Sequence, residues 1–182
     1  MSNLVLEEEI GSAQKEVYEG QGYIEPDPLN KKRIDIIYDM IGDNRENIMS
    51  IGCQKDDPLA RKLREKHNIV TLDITKNADI MADLNKGIPV KSESYGLVVA
   101  GEIIEHLYDT QFVLREINRV LKKDGILILS VPNICSMRNR AKVLLGFLPR
   151  SCAKDEHIRD FNLQFMKDHL QKSGFKIISQ KG

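Results

Sequence analysis

The 182-residue chain has no tryptophan, only ten other aromatic residues (five tyrosines, five phenylalanines), and only three cysteines. It also lacks the run of about 20 apolar residues that a membrane-spanning helix needs, and its acidic start lacks the apolar core of a signal peptide. Cys53, Cys135 and Cys152 are odd in number and match no disulfide, redox or metal-ligand spacing. From these absences we expect a protein of the reducing cytoplasm, with no integral membrane segment and no metal site.

The chain also lacks an excess of either charge, because 27 basic residues balance 27 acidic ones. A neutral protein has no overall field that would attract nucleic acid or an anionic membrane, so we expect no nucleic-acid partner. The length suits one domain that is large enough to bury a core without disulfide staples.

One stretch of sequence organises the rest of the chain. Asn47-Ile-Met-Ser-Ile-Gly-Cys-Gln54 is a short apolar run that ends at a glycine, and Asp57-Pro58 follows it closely. The run is typical of a strand buried on both faces, and an aspartate before a proline is typical of a helix start. A strand, a glycine turn and a capped helix form the first unit of a nucleotide-binding α/β fold.

The remaining sequence continues this alternation. Strands are predicted at 48–52, 69–73, 79–83, 96–100, 126–131 and 175–178; helices are predicted at 3–19, 28–41, 58–67, 102–108, in the stretch closed by residues 122–125, at 136–148 and from Asn162 to Gly174. Strands that alternate with helices predict a doubly wound, mostly parallel six-stranded sheet in three α/β/α layers. We assign residues 28–182 to this domain and residues 1–27 to an N-terminal extension that is helical or irregular.

Polar and small residues fall where the predicted strands end, which is where such sheets bind ligands. Gly52 leaves room for a ligand beside the backbone, Asp73 is placed to accept hydrogen bonds from ribose hydroxyls, and Asp83 is placed to accept one from an exocyclic amine. Ala100-Gly101 ends the fourth strand. The alternative for each aspartate is a helix cap or turn residue with no ligand.

Several motifs together resemble class I S-adenosylmethionine-dependent methyltransferases, in particular the small type-11/type-23 group. The resemblance covers about residues 20–180, and its strongest parts are Glu102-Ile-Ile-Glu-His-Leu107 and Val120-Leu-Lys-Lys-Asp-Gly-Ile-Leu127. Val131-Pro-Asn133, His157-Ile-Arg-Asp-Phe161 and Gly174-Phe175 add to it. The resemblance implies a Rossmann-like methyltransferase fold, the cofactor S-adenosyl-L-methionine and cofactor contacts at Ser50, Gly52, Cys53, Asp73, Ile74, Asp83, Leu84, Ala100 and Gly101.

The glycine turn departs from the family pattern. An acidic residue and a G-x-G-x-G turn are usual there, whereas this chain has Ser50, Gly52, Gln54 and Asp56. Asp56 brings a negative charge near the expected site of the cofactor's methionine carboxylate, and Lys55 is a candidate to neutralise it. We therefore expect cofactor binding that survives but is weak.

Three residues are candidates for catalysis. Glu102 and His106 are four residues apart and share one face of the predicted helix. His106 could act as the base or steer the acceptor, and Glu102 could orient the cofactor or the imidazole. The alternative is that Glu102 caps the helix and His106 packs under the fourth strand. His157 is the second candidate base, and the alternative for it is a solvated loop position.

Residues 137–148 are basic on one side and apolar on the other. The functional interpretation is a lid that meets an anionic or lipid-linked acceptor, such as a sugar nucleotide or glycolipid; the alternative is an amphipathic helix that covers the site with its charges in water. The chain stops before the antiparallel seventh strand that the family adds beside the sixth. A homodimer through that open sheet edge is therefore one expectation, and a trimmed chain is the other.

The predicted function is methyl transfer from S-adenosyl-L-methionine to a small-molecule or glycan acceptor, on a hydroxyl oxygen. The first alternative is a non-catalytic module that kept the fold and lost the cofactor, and the altered glycine turn is its evidence. The second is a nicotinamide-dependent oxidoreductase. It is disfavoured because the turn lacks G-x-G-x-x-G and because Asp56 and Asp57 would face a pyrophosphate at the helix start.

Overall fold

The computed structural model describes residues 28–42, 47–149, 152 and 157–180. The helix predicted at 3–19 and the N-terminal extension lie outside these residues. The helices are α1 Pro28–Ile41, α2 Pro58–Arg64, α3 Thr110–Val120, α4 Met137–Leu144 and α5 Leu163–Lys172, with 3-10 turns at Leu84–Lys86 and Ile104–His106. The strands are β1 Ile48–Ile51, β2 Ile69–Asp73, β3 Ile80–Met81, β4 Tyr95–Gly101 and β5 Leu121–Ser130.

The strands form one sheet in the order β3-β2-β1-β4-β5, and every pair is parallel. β1 lies at the centre because it pairs with β2 on one side and β4 on the other. The strand order reverses between β1 and β4, so the carboxyl ends of these two strands flank the crevice in which such sheets bind ligands. The predicted doubly wound, parallel α/β architecture is confirmed.

The two faces of the sheet carry separate apolar cores, as the two-residue period of a strand requires. Ile48, Leu97 and Val99 pack with the buried sides of α1 and α2. Met49 and Val98 face the other way, toward α3, Phe161 and the α5 residue Met166. Helices on both faces of the sheet give the predicted three layers.

Local capping fixes several helix starts. The side chain of Asp57 accepts from the Leu59 amide at 2.8 Å and that of Asn162 accepts from the Phe165 amide at 2.8 Å. Both caps were predicted, since an Asp or Asn side chain satisfies an otherwise unbonded amide of the first turn. Gly42 follows α1 with φ +70°, as expected for a helix end.

The structure corrects the prediction at two strands. Residues 122–125 do not close a helix; they belong to β5, which begins at Leu121 opposite Tyr95 of β4. Residues 175–178 form no strand in the described part of the chain, so the sheet has five strands there and not six. A strand exists only when a neighbour accepts and donates its hydrogen bonds, and the apolar pattern at 175–178 supplies no such neighbour.

No described helix is both long enough and apolar enough to cross a bilayer. Cys53 is buried, whereas Cys135 and Cys152 are exposed, and none of the three forms a disulfide within the described residues.

Candidate functional site

A cleft opens beyond the carboxyl ends of β1, β2 and β3. It encloses about 400 Å³ when the space that is open to solvent is counted. Its walls come from the turn after β1, the ends of β2 and β3, and the segment after β4. The lining residues are Gly52, Asp73, Ile74, Ala82, Asp83, Leu84, Asn85, Ile103, His106 and Leu107.

Gly52 forms the floor of the cleft at the end of β1. Its φ is +64°, a left-handed conformation that favours glycine, and its amide donates to the Leu72 carbonyl at 2.7 Å. A Cβ at this position would lie 2.5 Å from Cγ1 of Ile103, which is closer than two carbon atoms can approach. Ile103 therefore occupies the space that a side chain at residue 52 would take.

Asp73 ends β2 and faces the same cleft. Its Oδ1 accepts from the Thr75 amide at 2.9 Å, which orients the carboxylate. Among the described residues no hydrogen bond engages Oδ2, so that oxygen is available to a ligand. Asp73 is thus a turn residue that also lines the cleft, and hydrogen bonding to ribose hydroxyls stays a prediction.

Asp83 and Leu84 close the cleft beyond β3. Asp83 Oδ1 accepts from the backbone amide of Asn85 at 2.9 Å and from its Nδ2 at 3.1 Å, so Asp83 caps the 3-10 turn. Asn85 Oδ1 in turn accepts from the Tyr108 amide at 3.0 Å and ties this wall of the cleft to the segment after β4. Asn85 was not among the predicted site residues, because its role depends on this long-range contact.

The charges around the glycine turn are neutralised differently from the prediction. Lys55 pairs with Asp79 at 3.5 Å, and Asp56 instead accepts from the side-chain amide of Asn77 at 2.7 Å. Asp57 is largely buried, and this burial raises its pKa even though it accepts from backbone amides. Arg33 of α1 interacts electrostatically with Asp57 and is the nearby cation that sequence reasoning missed.

Glu102 does not lie on a helix, contrary to the prediction. It has φ +54°, an uncommon backbone conformation for a residue with a side chain, and only Ile104–His106 form a short 3-10 turn. Its carboxylate lies 3.2 Å from the Arg33 guanidinium. Glu102 and His106 therefore do not form the predicted pair on one helical face, and Glu102 does not cap a helix either.

His106 lines the cleft, and His157 packs against His106. The two imidazole rings have centroids 4.8 Å apart in an edge-to-face arrangement. Residues 157–159 are held against the turn by backbone hydrogen bonds, since the Glu105 carbonyl accepts from the amides of Ile158 at 2.9 Å and Arg159 at 3.2 Å. Two imidazoles that lie far apart in the sequence thus meet, and one of them, His106, lines the cleft.

The other predicted cofactor residues lie near the cleft but do not line it. Ser50, Cys53 and Ala100 are buried, and Gly101 packs beside Ser130 and Ile37. Burial raises the pKa of the Cys53 thiol to about 12, with Asp57 adding to the effect, so this thiol stays protonated and unreactive. Ile103, Leu107 and Ala82 line the cleft and were missed, although the first two lie inside a motif that the sequence analysis singled out.

A family model described as a methyltransferase domain matches residues 29–180. No curated protein matches the chain. Among solved structures, an S-adenosylmethionine-dependent methyltransferase from Archaeoglobus fulgidus is similar, with a TM-score of 0.63 and 18% identity over 81% of this chain and 68% of that one.

Two further structures are similar at low identity. The phosphoethanolamine N-methyltransferase 2 of Haemonchus contortus, solved with S-adenosyl-L-methionine, has a TM-score of 0.58 and 16% identity over 79% of this chain and 36% of its own. The [4+2]-cyclase SpnF has a TM-score of 0.61 and 17% identity over 87% of this chain and 64% of its own. At these identities the likeness shows the fold and does not extend to the substrate.

Proposed function

The chain belongs to the methyltransferase domain family, and from that premise we propose that it methylates a hydroxyl oxygen of a small-molecule or glycan acceptor. The single observation that carries the choice of a hydroxyl is the packing of His157 against His106, a residue that lines the cleft. A hydroxyl must lose its proton to become a good nucleophile, and an imidazole is the usual group that accepts a proton near neutral pH.

The residues of the cleft fit S-adenosyl-L-methionine. Asp73 Oδ2 would accept from the ribose hydroxyls, Asp83 and Leu84 would hold the adenine, and the bare backbone of Gly52 would lie under the chain that links them. When bound, this cofactor supplies a methyl group on a sulfonium sulfur, and its carbon–sulfur bond breaks as the acceptor oxygen forms the new bond. Little else is needed from the protein beyond alignment and exclusion of water.

The turn after β1 supports weak rather than tight binding of the cofactor. Asp56 brings a negative charge close to where a carboxylate of the ligand would lie, and Lys55 is engaged with Asp79. Arg33, paired with Glu102, is the described cation that would offset this repulsion. We expect a dissociation constant above about 1 μM, and sub-micromolar affinity would contradict this part of the proposal.

Calorimetric titration with S-adenosylhomocysteine tests the cofactor site. Asp73→Asn keeps an oxygen that can accept from the Thr75 amide but loses the charge, so it should weaken binding by about 1–3 kcal/mol without unfolding the turn. Asp35→Asn is the matched control because Asp35 is an exposed residue of α1 paired with Lys62. Absence of binding at millimolar ligand would favour the non-catalytic alternative.

The catalytic proposal is tested with His106→Gln and His157→Gln. Each should lower turnover and leave the affinity for S-adenosylhomocysteine nearly unchanged, since a glutamine keeps hydrogen bonding but cannot accept a proton at neutral pH. Loss of cofactor affinity in His106→Gln would instead assign that residue a structural role.

The surface around α4 supports an acceptor with a lipid or anionic part. α4 has no buried residue, so the interpretation in which its apolar side covers the site is wrong. The apolar side chains of residues 143–148, which we call the apolar segment, are exposed: Val143, Leu144, Leu145, Phe147 and Leu148. Arg138, Arg140 and Lys142 lie on the helix that leads into it, a combination that suits an anionic lipid surface.

The three cysteines without a disulfide are consistent with a cytoplasmic protein. The position of β5 at one end of the sheet is consistent with a homodimer. We propose both on these grounds.

A further inference from the structure

Glu105, His106 and His157 together form a cluster that the sequence analysis did not assign. Each residue offers one ligand atom, and these atoms all lie within 4.8 Å of one another. Two atoms that bind one ion at about 2.1 Å can be at most about 4.2 Å apart, so small side-chain rotations would complete the geometry. Two imidazoles and one carboxylate are a donor set that divalent transition metals prefer.

The backbone holds the cluster together. Three hydrogen bonds join residues 157–159 to the turn, two to the Glu105 carbonyl and one from Arg159 Nη2 to the Tyr108 carbonyl at 2.6 Å. Glu105 is only 1% exposed and His106 is its direct neighbour in the chain. The two chain segments that carry the ligands are therefore held together before any ion binds, which lowers the entropy that binding would cost.

We propose that Glu105, His106 and His157 bind one divalent transition-metal cation at the edge of the cleft. Three protein ligands leave coordination positions open, and His106 lines the cleft, so the open positions face the space for an acceptor. The Arg33 guanidinium, which pairs with Glu102, also interacts with Glu105, so a bound ion shares the charge of this carboxylate with it.

The metal site deepens the proposed function. The chemical role of the ion rests on that function, whereas the binding of the ion does not. With a cation bound, His106 and His157 would serve as its ligands and not as the base. The cation would bind the acceptor oxygen and lower the pKa of its hydroxyl, whose proton would leave to water. The preferred acceptor then carries a second oxygen next to the reacting hydroxyl, because adjacent oxygens can fill two open positions. Vicinal diols of sugars have this arrangement.

The test is calorimetric titration of the tag-free, chelator-treated chain with ZnCl₂, together with Co²⁺ absorption spectra. We expect one ion per chain, and His106→Gln and His157→Gln should each weaken binding by at least about tenfold. His169→Gln is the matched control, since the His169 ring contacts Phe165 and lies outside the cluster. Glu105→Gln is a third variant, and circular dichroism verifies that each variant is folded.

The metal site is overturned if His106→Gln and His157→Gln both bind Zn²⁺ as tightly as the wild type does. S-adenosylhomocysteine is titrated into the same samples. Binding of this ligand without Zn²⁺ binding rejects the metal site and leaves the proposed function standing. Zn²⁺ binding by a chain that methylates no hydroxyl acceptor rejects the proposed function and leaves the metal site standing.

Discussion

Gly52 combines a backbone requirement and a packing requirement in one residue. Its φ of +64° disfavours any side chain, and Ile103 occupies the place where a Cβ would be. Gly146 has a similar φ of +80° but no atom within 4 Å of its Cβ position. The two glycines therefore separate the cost of the backbone conformation from the cost of the collision.

Gly52→Ala should lower the free energy of unfolding by about 2–4 kcal/mol, against about 1–2 kcal/mol for Gly146→Ala. The difference is the cost of displacing Ile103. Urea denaturation of both variants measures it, and the same Gly52→Ala protein should bind S-adenosylhomocysteine more weakly. Equal losses of stability in the two variants would mean that Ile103 moves aside at no cost.

The cysteines should differ in reactivity. Burial and the neighbouring Asp57 raise the pKa of Cys53 to about 12, so almost none of it is thiolate at about pH 8. Iodoacetamide should label Cys135 and Cys152 in the folded protein and spare Cys53, as counted by mass spectrometry. Labelling in urea is the control, because unfolding should expose Cys53. Rapid labelling of all three cysteines without urea would contradict the buried position of Cys53.

At the residue scale, the sequence predicted the positions that depend on a single strand or helix. Asp73 and Asp83 could be placed at the cleft because strand ends converge in a parallel sheet. Arg33 could not, because its pairing with Glu102 joins α1 to the end of β4. The same limit applies to His157, whose contact with His106 joins two segments that are far apart in the sequence.

Arg119 and Glu116 form an ion pair within α3, and both side chains also form hydrogen bonds with the loop before β4. Arg119 donates to both Glu116 oxygens at 2.7 Å and to the carbonyls of Ile88 and Val90 at 2.8 Å, while Glu116 Oε2 accepts from the Ile88 amide at 3.0 Å. The hydrogen bonds from Arg119 hold the pKa of Glu116 below its usual value. A depressed carboxyl pKa stabilises the folded state above the unfolded pKa and ceases to do so as the pH falls through the folded one.

Glu116→Gln should therefore lower the free energy of unfolding at pH 7 by about 1–3 kcal/mol, since it removes a charged acceptor of several hydrogen bonds. The difference from wild type should be constant at neutral pH and shrink below about pH 4.5, as the unfolded and then the folded carboxyl protonates. Thermal melts of both proteins between pH 3 and 7 measure this. A difference that persists unchanged at about pH 3 would assign the effect to packing and not to charge.

The apolar segment at 143–148 should bind to anionic lipid. Leu144 is 87% exposed and four further apolar side chains accompany it, next to the basic residues of α4. The wild type should co-sediment with phosphatidylglycerol vesicles more than with phosphatidylcholine vesicles, and the binding should weaken as salt is added. Phe147→Ser with Leu148→Ser should reduce it, and Leu163→Ser provides a control at another exposed apolar residue. Equal binding by the double variant would assign the lipid contact elsewhere.

At the element scale, helix starts were predictable and one strand start was not. Asp57 and Asn162 act on amides two or three residues away, so their sequence context is sufficient. β5 begins at Leu121 because Tyr95 pairs with it, and a lysine-rich stretch ending in Gly125 resembles a helix end when that partner is not known. Strand limits depend on the neighbouring strand, whereas helix limits depend on the chain itself.

The whole sheet ends on one side in β5, a strand of ten residues. In the described part of the chain only the bridge between Asn133 and Phe161 continues beyond it. A long strand with one unpaired side is a template for a second chain. Light scattering should therefore give twice the mass of one 20.7 kDa chain. The mass of a single chain over the concentration range of the assay would remove the dimer.

The contact between Gly52 and Ile103 joins two segments of the chain, and each segment belongs to a different proposed binding site. Ile103 immediately precedes the 3-10 turn that carries Glu105 and His106. A ligand at the proposed nucleoside site that shifts Gly52 would also shift this turn, so the proposed sites for the nucleoside and the cation would be energetically coupled. By thermodynamic linkage, if the cation changes the affinity for the cofactor by some factor, the cofactor changes the affinity for the cation by the same factor.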